Sequence, residues 1–280
     1  MAARQRRPER PLRLGTVQET LLIPLYGRAV ESRKPEPVLR DPAAEAMVAA
    51  IDYDFARFDG GASLTGSVLR TGLIDHWVRA FLADSPDSTV VEIGTGLNTR
   101  YERTDNGRAR WFELDLPDAI ELRRTFFADT PRRSMLAASV LDDGWTAAPL
   151  AAGGPYFLAA EAVLPFLPEE DARRAFDLLA DRFPGALLAL DTAGPGMVDT
   201  QDGHDALGKV AARMRWNCPD PGVLEDWRPG SRLLASHTFT TLPAEVHDGL
   251  PAEHREMIAA LKEQRLPQVE DYRLNLVRLA

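Results

Sequence analysis

The chain has 280 residues, 45% of them hydrophobic and 27% charged, a composition that fits one α/β domain with a well-buried core. No run of about 18 or more apolar residues occurs, so no segment reads as a membrane span. A formal net charge of −9 argues against nucleic acid as the main partner, because a protein that binds phosphates carries a basic surplus.

Residues 1–15 hold Arg4, Arg6, Arg7, Arg10 and Arg13 with no apolar stretch behind them. They read as a disordered basic tail, not as a secretory signal. Residues 16–280 read as a single domain. Thr16 to Ser32 is helix-like, with Leu21, Leu22, Leu25 and Ala29 on one stripe. Pro35, Pro37 and Pro42 break the chain, and Asp41-Pro42 opens a second helix through Ala46, Val48 and Ile51. A third helix, Ser67 to Leu82, sets Leu69, Leu73, Trp77 and Phe81 at helical spacing. These segments precede every strand, so residues 16–85 are expected to form a helical cap.

From residue 89 short β-rich apolar runs alternate with amphipathic stretches: Thr89 to Ile93, Ala109 to Leu114, Arg133 to Ala138, Pro155 to Ala160 and Ala186 to Leu190. Asp118 to Phe127 and Pro168 to Phe183 are helix-like. That alternation predicts βαβ units and a mostly parallel sheet covered on both faces. Leu233 to Thr241 and Tyr272 to Leu279 read as a final antiparallel pair at the sheet edge. Between them and the fifth strand lies a Gly/Pro-rich insertion, residues 191–232, with a helix expected from His204 to Trp216. Long insertions at strand C-terminal ends carry function, so this one is read as a substrate lid. The single cysteine, Cys218, allows no internal disulfide and fits a reducing, cytoplasmic setting.

The chemistry is concentrated at Val90-Val91-Glu92-Ile93-Gly94-Thr95-Gly96. A strand runs into a turn with two glycines, whose missing Cβ lets backbone approach a ligand closely. Asn98 and Thr99 follow, so the dinucleotide fingerprint is not completed. Asp115 comes 21 positions after Gly94, the distance at which a carboxylate meets a ribose diol. Glu113 either shares that role or points into the sheet.

Four segments occur in register: Glu19 to Arg28, Glu92 to Arg100, Arg110 to Pro117 and Glu161 to Leu167. Together they resemble the leucine carboxyl methyltransferase family, especially its tetracenomycin-type polyketide O-methyltransferase branch. The resemblance is good over roughly residues 16–190 and weaker beyond. It implies a Rossmann-like class I methyltransferase fold, S-adenosyl-L-methionine as cofactor and transfer of a methyl group to oxygen. It also implies site roles. Arg28 or Arg70 would meet the cofactor's carboxylate, and Glu161 its amine. Gly94 and Gly96 would face the methionine part, and Glu92, in the strand before them, is a further cofactor-binding candidate. Asp115 would hold the ribose, and Ser139 and Val140 would flank the adenine. The family's Gly-Leu-Asp-Thr-Arg reads Gly96-Leu97-Asn98-Thr99-Arg100 here, which removes a charge expected opposite Arg100.

The acceptor is expected to be a small molecule with a carboxyl or phenolic hydroxyl, of polyketide type, methylated by direct in-line transfer. A protein C-terminal carboxyl group, or no catalysis at all, are the alternatives. A phenol would gain from a base. Of His76, His204, His237, His247 and His254, His204 in the insertion is the candidate. Arg213 and Arg215 could attract an anionic acceptor. Met197, Met214, Trp216 and Trp227 could form an apolar lid. No metal-ligand spacing is found.

Overall fold

The structure is a computed structural model and describes residues 18–280. The basic tail, residues 1–15, and Thr16 at the expected start of the first helix lie outside the described residues. The cap begins with a 3-10 turn, Gln18–Leu21, then α1 (Leu22–Ser32), α2 (Pro42–Ala50) and α3 (Ala62–Asp84). Asp41 caps α2 by accepting the Ala44 N–H at 2.9 Å, and Pro42 fills the first helical position, where a missing N–H costs nothing. α3 starts five residues before the expected Ser67, directly after Gly60-Gly61. Ser63 and Gly66 interrupt the apolar stripe in this added turn because they line a cavity, not the core.

The sheet follows: β1 (Thr89–Ile93), α4 (Arg100–Thr104), β2 (Arg110–Asp115), α5 (Pro117–Arg123), β3 (Arg133–Ala137), α6 (Ala147–Ala152), β4 (Tyr156–Ala160), α7 (Glu169–Arg182) and β5 (Leu187–Ala193). A loop with the short helices α8 (Pro195–Val198) and α9 (Val223–Trp227) leads to β6 (Arg232–His237). The helices α10 (Ala244–His247), α11 (Ala252–Gln264) and α12 (Pro267–Glu270) precede β7 (Tyr272–Arg278). The strand order is β3-β2-β1-β4-β5-β7-β6. β1 to β5 pair in parallel, and β7 enters between β5 and β6, antiparallel to both. The last two strands thus form the expected antiparallel pair at the edge.

Alternation along each strand divides the core. Val91, Phe112, Leu158 and Leu188 face one side, packed on α7 through Phe176, Leu179 and Phe183. Val90, Trp111, Phe157 and Ala189 face the other, packed on α3 through Leu73, Ile74, Trp77 and Val78. Trp111 and Phe112 are therefore sheet core. α1 and α2 close on Leu97 and Leu122, which ties the cap to the loop after β1.

Two segments differ from expectation. The helix expected over 204–216 is absent: 201–203 and 207–209 are single 3-10 turns, and 210–218 is irregular. Side chains satisfy the backbone there in place of a helical ladder, with Gln201 bonding both the N–H and the C=O of Met214. Conversely, α11 lies in a stretch the sequence reading passed over. Only His254 and Ile258 of α11 are buried, so its apolar stripe is too thin to stand out.

The strand order reverses between β1 and β4, so a crevice opens beyond their C-terminal ends, where open α/β sheets take ligands. Leu158 is fully buried on β4, whereas Leu234 on β6 is 45% exposed. By denaturant unfolding, Leu158→Ala is expected to lose about 2–5 kcal/mol of stability. Leu234→Ala is expected to change it by less than about 0.5 kcal/mol.

Candidate active site

The crevice holds a cavity of about 860 Å³. Its walls come from α1, α3, the loops after β1, β2, β3 and β4, the loop after β5, and α11 to β7. The turn after β1 forms its floor. Gly94 and Gly96 have φ of +63° and +47°, in the left-handed region that favours glycine. A Cβ at Gly94 would stand 2.3 Å from Val163 Cγ2, so the turn also needs the space. The Arg123 guanidinium clamps the turn from below, donating to Gly96 O at 3.0 Å and Asn98 O at 2.7 Å. Glu113 holds Arg123 at 2.6 Å and Arg133 at 2.7 Å, so it points into the protein and takes no part in the cavity wall.

Asp115 ends β2 at the cavity wall. It accepts the N–H groups of Gly96 and Leu116, each at 2.7 Å. Burial pushes its pKa up, and those two N–H groups only partly oppose the shift. Ser139 and Val140 line the same end, and the Ser139 hydroxyl accepts the Leu141 N–H. Asp142 bonds the Ser139 N–H and is a turn residue.

At the other end stands a buried ion network. Arg100 is fully enclosed and donates to Asp75 at 2.8 Å, Glu92 at 2.6 Å and Glu161 at 2.6 Å. Arg70 donates to the other Glu161 oxygen at 2.9 Å and to the Tyr272 hydroxyl at 3.1 Å. Thr71 also donates to Glu161, at 2.8 Å. Arg28 bonds Asp41 at 2.9 Å and Leu97 O at 2.7 Å. Burial would raise the Glu161 pKa, but Arg70 and Arg100 overcome it and hold the carboxyl at about 2. Burial pushes Asp191 up, against the pull of Arg70 and of the Tyr272 hydroxyl that donates to it.

Of the residues singled out in the sequence, Arg28, Arg70, Gly94, Gly96, Asp115, Ser139, Val140, Glu161 and His204 all line this one cavity. Glu92 does not. Its side chain turns away to Arg100, the nearest countercharge for a buried carboxylate. Asn98 does not leave Arg100 short of charge, since three carboxylates already serve it. Asn98 Oδ1 instead accepts from Arg103 at 3.1 Å, and its amide nitrogen lies 3.4 Å from Glu92 and 3.5 Å from Glu161. An aspartate there would face two carboxylates.

Among the histidines, His204 is the one on the cavity wall. His254 is buried against Glu31, His237 bonds Thr241 O, and His76 and His247 lie near carboxylates at the surface. Met197 and Met214 line the cavity, but Trp216 and Trp227 stack on each other at 5.0 Å in the core on the α7 side. Arg213 binds Asp202 and nearby carbonyls, and neither it nor Arg215 reaches the cavity. The sequence reading missed Tyr272, Thr71, Asp75, Arg103 and Arg123, whose partners are distant in the chain. It also missed Met257, Leu261, Leu266 and Val269, which close the wall from α11 and the segment after it.

The profile of the leucine carboxyl methyltransferase family matches residues 22–180. The chain belongs to that family. It is 32% identical over 244 residues to "Tetracenomycin polyketide synthesis O-methyltransferase TcmP" of Streptomyces glaucescens, covering 86% of this chain and 90% of that one. It is 25% identical to the "S-adenosyl-L-methionine-dependent methyltransferase dpfgK" of Gibberella zeae, over 80% of this chain and 84% of that one. A solved structure from Thermobifida fusca YX, assigned as a methyltransferase, matches with a TM-score of 0.58 at 16% identity, covering 92% of this chain and 94% of that one. That likeness speaks for the fold. The two-glycine turn, Asp115 and Glu161 of this methyltransferase all fall within the matched residues. Among the described residues no helix is long and apolar enough to cross a membrane.

Glu161 is a test of the network. Its folded pKa lies below the ordinary value of 4.5, so the stability it contributes is present above about pH 4.5 and is lost as pH falls towards 2. Glu161→Gln is expected to lower unfolding stability at neutral pH by about 3 kcal/mol, because Arg70 and Arg100 lose a shared countercharge. The gap between the two proteins should close on acidification from about pH 4.5 to pH 2. A gap independent of pH would show that Glu161 acts by packing alone.

Proposed function

We propose that this cavity holds S-adenosyl-L-methionine and that the enzyme transfers its methyl group to an oxygen of a small molecule, a carboxyl or phenolic hydroxyl on a polyketide-type metabolite. The observation that carries the reading is the distribution of polar groups along the cavity. Arg28 and Arg70 each leave one guanidinium nitrogen, Nη1 and Nη2 respectively, without a partner among the described residues. Both side chains line the same end, which suits a carboxylate. Glu161 and the Asn98 carboxamide lie beside them and suit an ammonium group. Asp115 stands at the far end of the glycine turn and suits a ribose diol, with Ser139 and Val140 beyond it for the base.

The cofactor supplies an activated methyl group on sulfur. The chain's residues bind, orient and exclude water. The glycine turn brings backbone close to the methionine part, since no side chain intervenes. The loop 194–231 serves as the lid: Met197, Leu207 and Met214 make an apolar wall against the acceptor. α11 completes that wall through Met257 and Leu261.

Isothermal titration and a methyl-transfer assay check this reading. S-adenosylmethionine is expected to bind and NAD is not. Asp115→Asn keeps the shape but removes the charge, and should weaken cofactor binding roughly tenfold, the scale of one charged hydrogen bond. Unchanged affinity in that variant would move the ribose elsewhere, and no binding by the parent protein would refute the reading.

A further inference from the structure

We propose that Asp191 is a positioning residue: it sets the orientation of Glu161 through Ala162 and of Arg70 through Tyr272, and so shapes the end of the cavity that takes the cofactor's amino-acid group. The proposal rests on the methyltransferase reading above. Asp191 lies in β5, between β4 and β7, and is fully buried. It is not part of the cavity wall, whereas Glu161, Ala162, Arg70 and Tyr272 all are. Its two carboxyl oxygens hold one donor each. Oδ1 accepts the Ala162 N–H at 2.8 Å, and Oδ2 accepts the Tyr272 hydroxyl. A carboxamide has a single acceptor oxygen, so asparagine could serve only one of the two donors.

Each contact has a consequence at the cavity. Ala162 has φ of +56°, in the left-handed region where a Cβ crowds the following carbonyl oxygen. A residue other than glycine stays there only when its surroundings hold it. The bond to Asp191 does so, and it fixes the turn that carries Glu161 on one side and Val163 on the other. Glu161 thereby reaches Arg70, Thr71 and Arg100. Val163 is brought so near Gly94 that a Cβ there would stand 2.3 Å from its Cγ2. The second contact orients a hydroxyl. With its proton committed to Asp191, the Tyr272 oxygen turns a lone pair to Arg70 Nη1 at 3.1 Å. Phe239, stacked 5.7 Å from the Tyr272 ring at 9°, holds the ring plane. Arg70 Nε is meanwhile bound to Glu161 at 2.9 Å. The Arg70 guanidinium is thus pinned from two sides, and both pins lead back to Asp191.

The test compares S-adenosylhomocysteine with methylthioadenosine, which keeps the ribose and base but lacks the amino-acid end, by isothermal titration of the full chain. Asp191→Asn is expected to weaken S-adenosylhomocysteine roughly tenfold, the scale on which a Cβ disfavours a left-handed residue, and to change methylthioadenosine by less than about twofold. Adding Ala162→Gly to Asp191→Asn should recover about threefold of that loss, because glycine takes the left-handed conformation unaided. Tyr272→Phe leaves the Ala162 bond intact, and should cost S-adenosylhomocysteine about threefold while sparing methylthioadenosine. That variant carries the test should Asp191→Asn not fold. Equal weakening of the two ligands, unchanged S-adenosylhomocysteine affinity in either variant, or no recovery with glycine would each overturn the proposal. So would a parent protein that binds methylthioadenosine as tightly as S-adenosylhomocysteine. A parent protein that binds neither would instead refute the cofactor reading, and the proposal with it.

Discussion

A single buried cation organises one end of the cavity in this protein. Arg100 is shut off from solvent and its guanidinium is met by Asp75 of α3, Glu92 of β1 and Glu161 after β4. Taking a guanidinium out of water is costly, and the cost is offset only when every charge is paired and hydrogen-bonded. Three separate elements must therefore arrive at fixed positions for Arg100 to be buried at all. Those positions define the crevice between β1 and β4. Arg103 extends the network to Asp75 and Asp41, and Asp41 both caps α2 and holds Arg28. The helical cap is thus joined to the sheet by charge as well as by the apolar contacts of α1 and α3.

The network also fixes the two arginines proposed to meet the cofactor. Arg70 and Arg28 spend part of their donor capacity on Glu161, Tyr272, Asp41 and Leu97, which fixes each guanidinium plane. Under the proposed function the remaining nitrogens would meet the cofactor's carboxylate, with little rotamer entropy left to lose on binding. Arg123 does the corresponding work for the glycine turn by bonding the carbonyls of Gly96 and Asn98. Asn98 belongs to this balance. Glu92 and Glu161 lie within 3.5 Å of its amide nitrogen, so a neutral carboxamide keeps a third negative charge out of the site.

The parallel sheet was legible because strands buried on both faces are written as unbroken apolar runs, as in Val90-Val91 and Phe157-Leu158. Asp115 was legible from its spacing to Gly94, which strand and turn lengths hold nearly constant. The ion network was not, because Asp75 and Glu161 lie 25 and 61 positions from Arg100, and nothing local couples them. For the same reason the sequence alone sets Asn98 against Arg100 and Glu92 beside the cofactor. The expected helix over 204–216 failed for a different reason: the His204 and Gln201 side chains accept hydrogen bonds from backbone N–H groups, and Gly203 and Gly208 favour turns. α11 escaped notice because few of its residues reach the core, and those that matter most line a cavity.

On the proposed function, the cofactor's amino-acid end docks on a charge network that is complete before it arrives. A crystal structure of the protein with S-adenosylhomocysteine, compared with one without it, tests this directly. The ligand carboxylate is expected on Arg28 and Arg70, the ribose on Asp115, and the contacts of Arg100 with Asp75, Glu92 and Glu161 unchanged between the two. Glu161 leaving Arg100 when the ligand binds, or the ribose lying away from Asp115, would contradict it.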